Sequence, residues 1–140
     1  MRRNVEVKAR LRDRAAARSA AERRGGPGRA LAQTDTFFRV PRGRLKLRRT
    51  PAVLGQALGV LGVVRKERLL FLVGQTRVHL DSVEGLGDFL ELEVVLTEEQ
   101  SVEDGERVAC ELMKELGVEE EDLISGAYLD LLLAKGESGL

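Results

Sequence analysis

Tryptophan is absent, and cysteine, histidine and tyrosine occur once each among 140 residues. A lone cysteine, Cys110, cannot close an internal disulfide, and its place among apolar helical positions reads as a small buried hydrophobe. No apolar run approaches the roughly 20 residues that a membrane helix requires. Met1-Arg2-Arg3 leads straight into patterned sequence, without the apolar segment of an export signal. The expectation is a cytoplasmic protein with no membrane partner. Neither sign of charge is in excess, since 23 basic residues meet 23 acidic ones, and this argues against a broad nucleic-acid surface. The basic stretch from Arg10 to Arg24 is interrupted by Asp13 and Glu22 and has no aromatic platform on which bases could stack.

What is present fits one globular domain spanning 1–140. Hydrophobic residues make up 43% and charged residues 33%, enough for a real core under a solvated surface. Residues 3–11 alternate strictly, with Val5, Val7 and Ala9 on one side and Glu6, Lys8 and Arg10 on the other, the mark of a two-faced strand. Asp13 is placed to cap a helix that runs to about Arg24 and stops at Gly25-Gly26-Pro27-Gly28. Extended segments follow at 30–40, 44–48, 63–73, 76–81 and 89–96. Pro41-Arg42-Gly43 and Gly74-Gln75 serve as turns. Thr50-Pro51 opens a helix, Ser101 with Asp104 forms a capping box for another ending near Gly117, and a last amphipathic segment spans about 121–133. Glu119 to Asp122 reads as a solvated helix start, and Tyr128 as a packed helix residue. The fold class is α+β, with about six antiparallel strands flanked by helices.

The strands share a peculiarity. Arg44, Lys46 and Arg48 lie on one face, as do Lys66 and Arg68, then Arg77, His79 and Asp81, then Glu91 and Glu93. A sheet with one face in water gives alternating charges without further cause. Here, however, like charges recur about 7 Å apart along single strands, and they repel, so folding alone gives no reason to choose them. An anion among the bases and a metal among the acids would supply one. Lys8, Lys46, Arg48, Lys66, Arg68 and Arg77 could clamp phosphates, against the acids Glu6, Asp81, Glu91 and Glu93. Hard oxygen ligands suit Mg²⁺ or Mn²⁺. His79 reads as a hydrogen-bonded structural group with at most a supporting place near such a metal.

Five segments, in order, resemble the CYTH family of triphosphate tunnel metalloenzymes, which joins class IV adenylyl cyclases and thiamine triphosphatases. They are Asn4-Val5-Glu6-Val7-Lys8, Gly43-Arg44-Leu45-Lys46-Leu47-Arg48, Lys66-Glu67-Arg68, Arg77-Val78-His79-Leu80-Asp81 and Glu91-Leu92-Glu93. The resemblance implies an antiparallel β-barrel whose inner face holds a triphosphate compound: inorganic triphosphate, ATP or thiamine triphosphate. It implies metal ligation by Glu6, Glu91 and Glu93 with help from Asp81, and phosphate contacts from Lys8, Lys46, Arg48, Lys66, Arg68 and Arg77. It sets Glu6, Lys8, Glu91 and Glu93 at the catalytic centre. The implied reaction is metal-dependent hydrolysis; the alternatives are cyclisation of ATP to cyclic AMP, or binding with little turnover. Two features depart from the family pattern. Asn4 stands where the first acid of the opening strand belongs, and Thr50-Pro51 follows Arg48 where further strands are usual. The expectation is therefore an incomplete barrel with a breach beside residues 44–49, which a second copy of the chain could cover as a homodimer.

Overall fold

The computed structural model describes residues 3–39, 44–48 and 60–138. The expected turn at Pro41-Arg42-Gly43 and the expected helix at Thr50-Pro51 lie outside them. Among these residues the elements run in the order β1 (Arg3–Arg10), α1 (Arg14–Gly25), β2 (Arg29–Arg39), β3 (Arg44–Arg48), β4 (Val60–Val73), β5 (Thr76–Val83) and β6 (Gly87–Leu96). Then come α2 (Val102–Glu115), a 3₁₀ turn (Glu120–Asp122), β7 (Leu123–Ile124) and α3 (Tyr128–Ser138). All pair antiparallel in one sheet of order β3-β2-β4-β5-β6-β1-β7. Among the described residues the sheet curls into a half-barrel with β3 and β7 as its two end strands. The six expected strands are all present, and the seventh is the two-residue β7.

Local chemistry explains the elements. Asp13 accepts the Ala16 amide and starts α1, while Ser101 and Asp104 cap α2 reciprocally. Gly74, at φ 57°, makes the tight turn that folds β5 back along β4. The main core lies on the convex side. Ala17, Ala20 and Ala21 let α1 approach β4 and β5 closely, and Ala109 and Leu112 bring α2 onto β1 and β6, so that both helices share one core with Val78, Leu80, Leu90, Leu92 and Val94. Cys110 is exposed, contrary to its expected burial, because it follows the buried Ala109 and one helical step turns it outward. A second cluster joins Val64, Val83 and Phe89 to Tyr128 and Leu129 of α3. Those three strand residues are on the concave side, so α3 packs against the inner face. The last helix therefore begins seven residues later than the expected 121, after Gly126 at φ 88° has broken the chain direction. Among the described residues no helix is long and apolar enough to cross a membrane.

Candidate functional site

Register decides which side chains share the concave face. In β1 and β6, Lys8 stands opposite Glu91 and Glu6 opposite Glu93. His79 and Arg77 of β5 stand opposite Glu91 and Glu93 on the other side. Arg68 is opposite Asp81, and across β2 the chain of partners continues through Asp35 to Arg48 and Phe37 to Lys46. Because strand faces alternate with period two, every residue expected at the site stands on this one face: Glu6, Lys8, Lys46, Arg48, Lys66, Arg68, Arg77, Asp81, Glu91 and Glu93.

A cavity of about 180 Å³ gathers five of the cations, Lys8, Lys46, Arg48, Lys66 and Arg68, with Asp35, Glu91, Phe37 and Tyr128. Glu6, Arg77 and Glu93 lie further along the same face and do not line it. The two arginines are fixed by acids. Arg48 donates to Asp35 at 2.7 and 3.1 Å, and Arg68 donates to Asp81 at 2.7 and 2.8 Å and to Glu91 at 3.3 Å. Bidentate pairing of this kind holds a guanidinium plane in one orientation. Tyr128 adds a hydrogen bond from its hydroxyl to Asp81 at 2.8 Å. Lys8, Lys46 and Lys66 take part in no ion pair among the described residues. Lys8 and Lys66 instead lie over the Tyr128 ring, at 4.1 and 5.0 Å from its centroid.

The electrostatics follow from burial and these pairings. Burial works to raise the Asp81 and Asp35 carboxyls, but Arg68 and Arg48 outweigh it and hold both below the usual carboxylate range. Burial, reinforced by Arg68, pulls the Lys66 ammonium down to about 8. Burial and then Asp81 push the Tyr128 hydroxyl well above its ordinary value, so it stays a donor. Burial and Arg68 likewise bring His79 down to about 4, which leaves the imidazole neutral at ordinary pH.

The carboxylates are placed unevenly for metal binding. Both Asp81 oxygens are taken by Arg68 and Tyr128. Glu93 accepts a hydrogen bond from Asn4 at 2.9 Å, so the residue that replaces the family's first acid touches one of its last. Among the described residues no three acidic, histidine or cysteine side chains come together as a ready-made metal site. What remains fits a cation that keeps its waters and shares coordination with phosphates, since such an ion needs only one or two carboxylates. Glu6, Glu91 and Glu93 are the candidates.

Asp35 and Tyr128 were not expected at the site. Only the pairing of Asp35 with Arg48 reveals its place, and Tyr128 reaches Asp81 from 47 residues away in sequence.

Comparison with curated proteins gives no match. Solved structures of the same fold include the PH1012 protein from Pyrococcus horikoshii OT3. It is 23% identical, with 93% of this chain and 99% of that one covered and a TM-score of 0.74. PH1819 from the same organism is also 23% identical, over 95% and 99%, with a TM-score of 0.73. A Vibrio parahaemolyticus protein provisionally named as an adenylate cyclase is 18% identical, over 94% and 97%, with a TM-score of 0.68. The family model described as CYTH domain matches residues 48–128, which carry Arg48, Lys66, Arg68, Asp81, Glu91 and Tyr128. The chain belongs to the CYTH domain family, whose members bind triphosphate substrates.

Proposed function

We propose that this protein binds a triphosphate compound on the concave face and hydrolyses it with the help of Mg²⁺ or Mn²⁺. One observation carries the reading: five cations line one small cavity, and three of them form no ion pair among the described residues. An excess of like charge in one small space costs free energy, and a polyanion would recover it. Arg48 and Arg68, held by Asp35 and Asp81, present fixed forks to phosphate oxygens, while Lys8, Lys46 and Lys66 neutralise charge as it shifts toward the leaving group. Arg77 extends the positive face beyond the cavity. Asp81 acts through Arg68, since both its oxygens are occupied. Glu6, Glu91 and Glu93 would hold the metal, which on binding supplies positive charge to the phosphates and aligns the attacking water.

The Asn4 amide bound to Glu93 favours a second reading, binding with slow turnover, because it draws on a carboxylate the metal would use. Incubation with inorganic triphosphate or ATP plus Mg²⁺ or Mn²⁺, followed by separation of the products, tests both. Metal-dependent release of orthophosphate is the expected result. Pyrophosphate with cyclic AMP would show a cyclase instead, and anion binding without any product would establish the second reading.

A further inference from the structure

On the convex side, away from the cations, a cavity of about 180 Å³ opens between the β4–β5 turn and α2. Its wall on α2 is a single stripe, Val108, Glu111, Leu112 and Glu115, at the three- and four-residue spacing of one helix face. Val108 and Leu112 pack with the main core. Two carboxylates one turn apart repel each other, and core packing gives no reason to set them in that stripe.

Thr76 lies at the floor of this cavity, 1% exposed, in the row with Val78 and Leu80 that β5 turns toward the helices. Its Oγ1 has no hydrogen-bond partner among the described residues. The neighbouring Gln75 amide cannot serve it, because it is committed to the Val95 carbonyl and to Gln100. Valine would fill nearly the same space without burying a hydroxyl, so packing does not account for threonine here. Buried polar atoms are nearly always satisfied, and an orphan at the floor of a cavity calls for a partner.

The charges state what kind of partner. Arg24, from the last turn of α1, donates to both Glu115 oxygens and answers that charge. Glu111 stands in no ion pair among the described residues. One arginine against two glutamates leaves the cavity with one net negative charge. We propose that it binds a small aliphatic amine, whose ammonium lies between Glu111 and Thr76 and whose carbon chain lies against Val108 and Leu112. An ammonium carries three donors, so it can meet the Glu111 carboxylate and the Thr76 oxygen together. The size agrees, since sites for drug-sized ligands start at about 300 Å³ and this one suits a chain of a few carbons. The proposal is independent of the triphosphate reading, because the cations stand on the opposite face of the sheet.

NMR titration of the full chain at neutral pH, without triphosphate or metal, with butylamine, diaminobutane and butanol tests it. Either amine should shift the amides of Gly74, Thr76 and Glu111 saturably. Butanol, which has the chain without the charge, should bind tenfold or more weakly. E111Q changes an exposed position and should weaken the amines tenfold or more, and T76V should weaken them several-fold. E106Q, on the same helix but outside the cavity, should leave their affinity within about twofold. T76V should also unfold no more easily than the native chain, because it deletes an unsatisfied buried group. A destabilised T76V would show that the hydroxyl already has a partner, and the site would be overturned. It would equally be overturned by the absence of saturable shifts with both amines, by shifts confined to the concave face, or by E106Q weakening the amines as much as E111Q.

Discussion

Asp81 is fully buried, and its carboxylate survives there because Arg68 pairs with both oxygens and Tyr128 donates a further hydrogen bond. Removing one member of a buried pair strands the other without its counter-charge, at a cost of about 3–5 kcal/mol. Asp81→Ala should lower stability by that amount in denaturant unfolding. Tyr128→Phe, which deletes one hydrogen bond to a charged group, should cost about 1.5–3 kcal/mol. Equal and negligible effects from the two would show that the network does not hold the site. Burial and Arg68 bring the Lys66 ammonium down to about 8. Triphosphate affinity should therefore fall as pH rises through about 8, and Lys66→Arg, which stays charged, should flatten that fall; calorimetry across pH 7–9.5 reads it. The stability of the unliganded chain should respond in the opposite sense. Below about 8 both states carry the proton and the folded state bears its burial penalty. Between about 8 and the ordinary lysine value the unfolded chain binds more protons than the folded one, so the contribution of this group to stability rises with pH.

At the level of elements, β1 and β6 are legible because strict alternation survives in both, and the faces that carry Glu6, Lys8, Glu91 and Glu93 can be read directly. Their register is not legible. That Lys8 meets Glu91, or that Asp35 meets Arg48, depends on pairings that no local pattern encodes. β7 is too short to show a period, and its presence, followed by Gly126, is why the helix expected at 121 starts only at Tyr128. The delay matters for the site, because it sets Tyr128 over Lys8 and Lys66 and against Asp81. Gly62 of β4 permits this docking. A Cβ there would intrude on the Leu129 side chain, so Gly62→Ala should push α3 off the inner face. Faster hydrogen exchange of α3 amides, with α1 and α2 unchanged, is the expected signature. Unchanged exchange in α3 would mean that Leu129 simply rotates aside and that Gly62 is not required.

For the molecule as a whole, net charge is zero, yet the distribution is uneven enough to couple two ligands. Five cations line the cavity, against Asp35, Glu91 and the buried Asp81, an excess of two positive charges. A triphosphate brings at least one negative charge per phosphate and so exceeds that surplus, and a divalent cation is the natural complement. The carboxylates alone are poorly arranged to supply a metal site, with Asp81 committed to Arg68, Glu93 bound by Asn4, and no three acids clustered among the described residues. Metal and triphosphate should therefore bind as partners, each raising the affinity of the other by the same factor, as linkage requires. Mn²⁺ titrated into the chain alone should bind weakly, and addition of triphosphate should tighten it by tenfold or more beyond its affinity for free triphosphate. Changing Glu91 and Glu93 together to Gln should remove that enhancement and leave triphosphate binding without metal largely intact. Asn4→Glu should act in the opposite direction, because it replaces an amide that ties up Glu93 with a further carboxylate on the same face. If Mn²⁺ binds the free chain as tightly as the triphosphate-loaded one, the carboxylates form an independent site and the coupling argument is wrong.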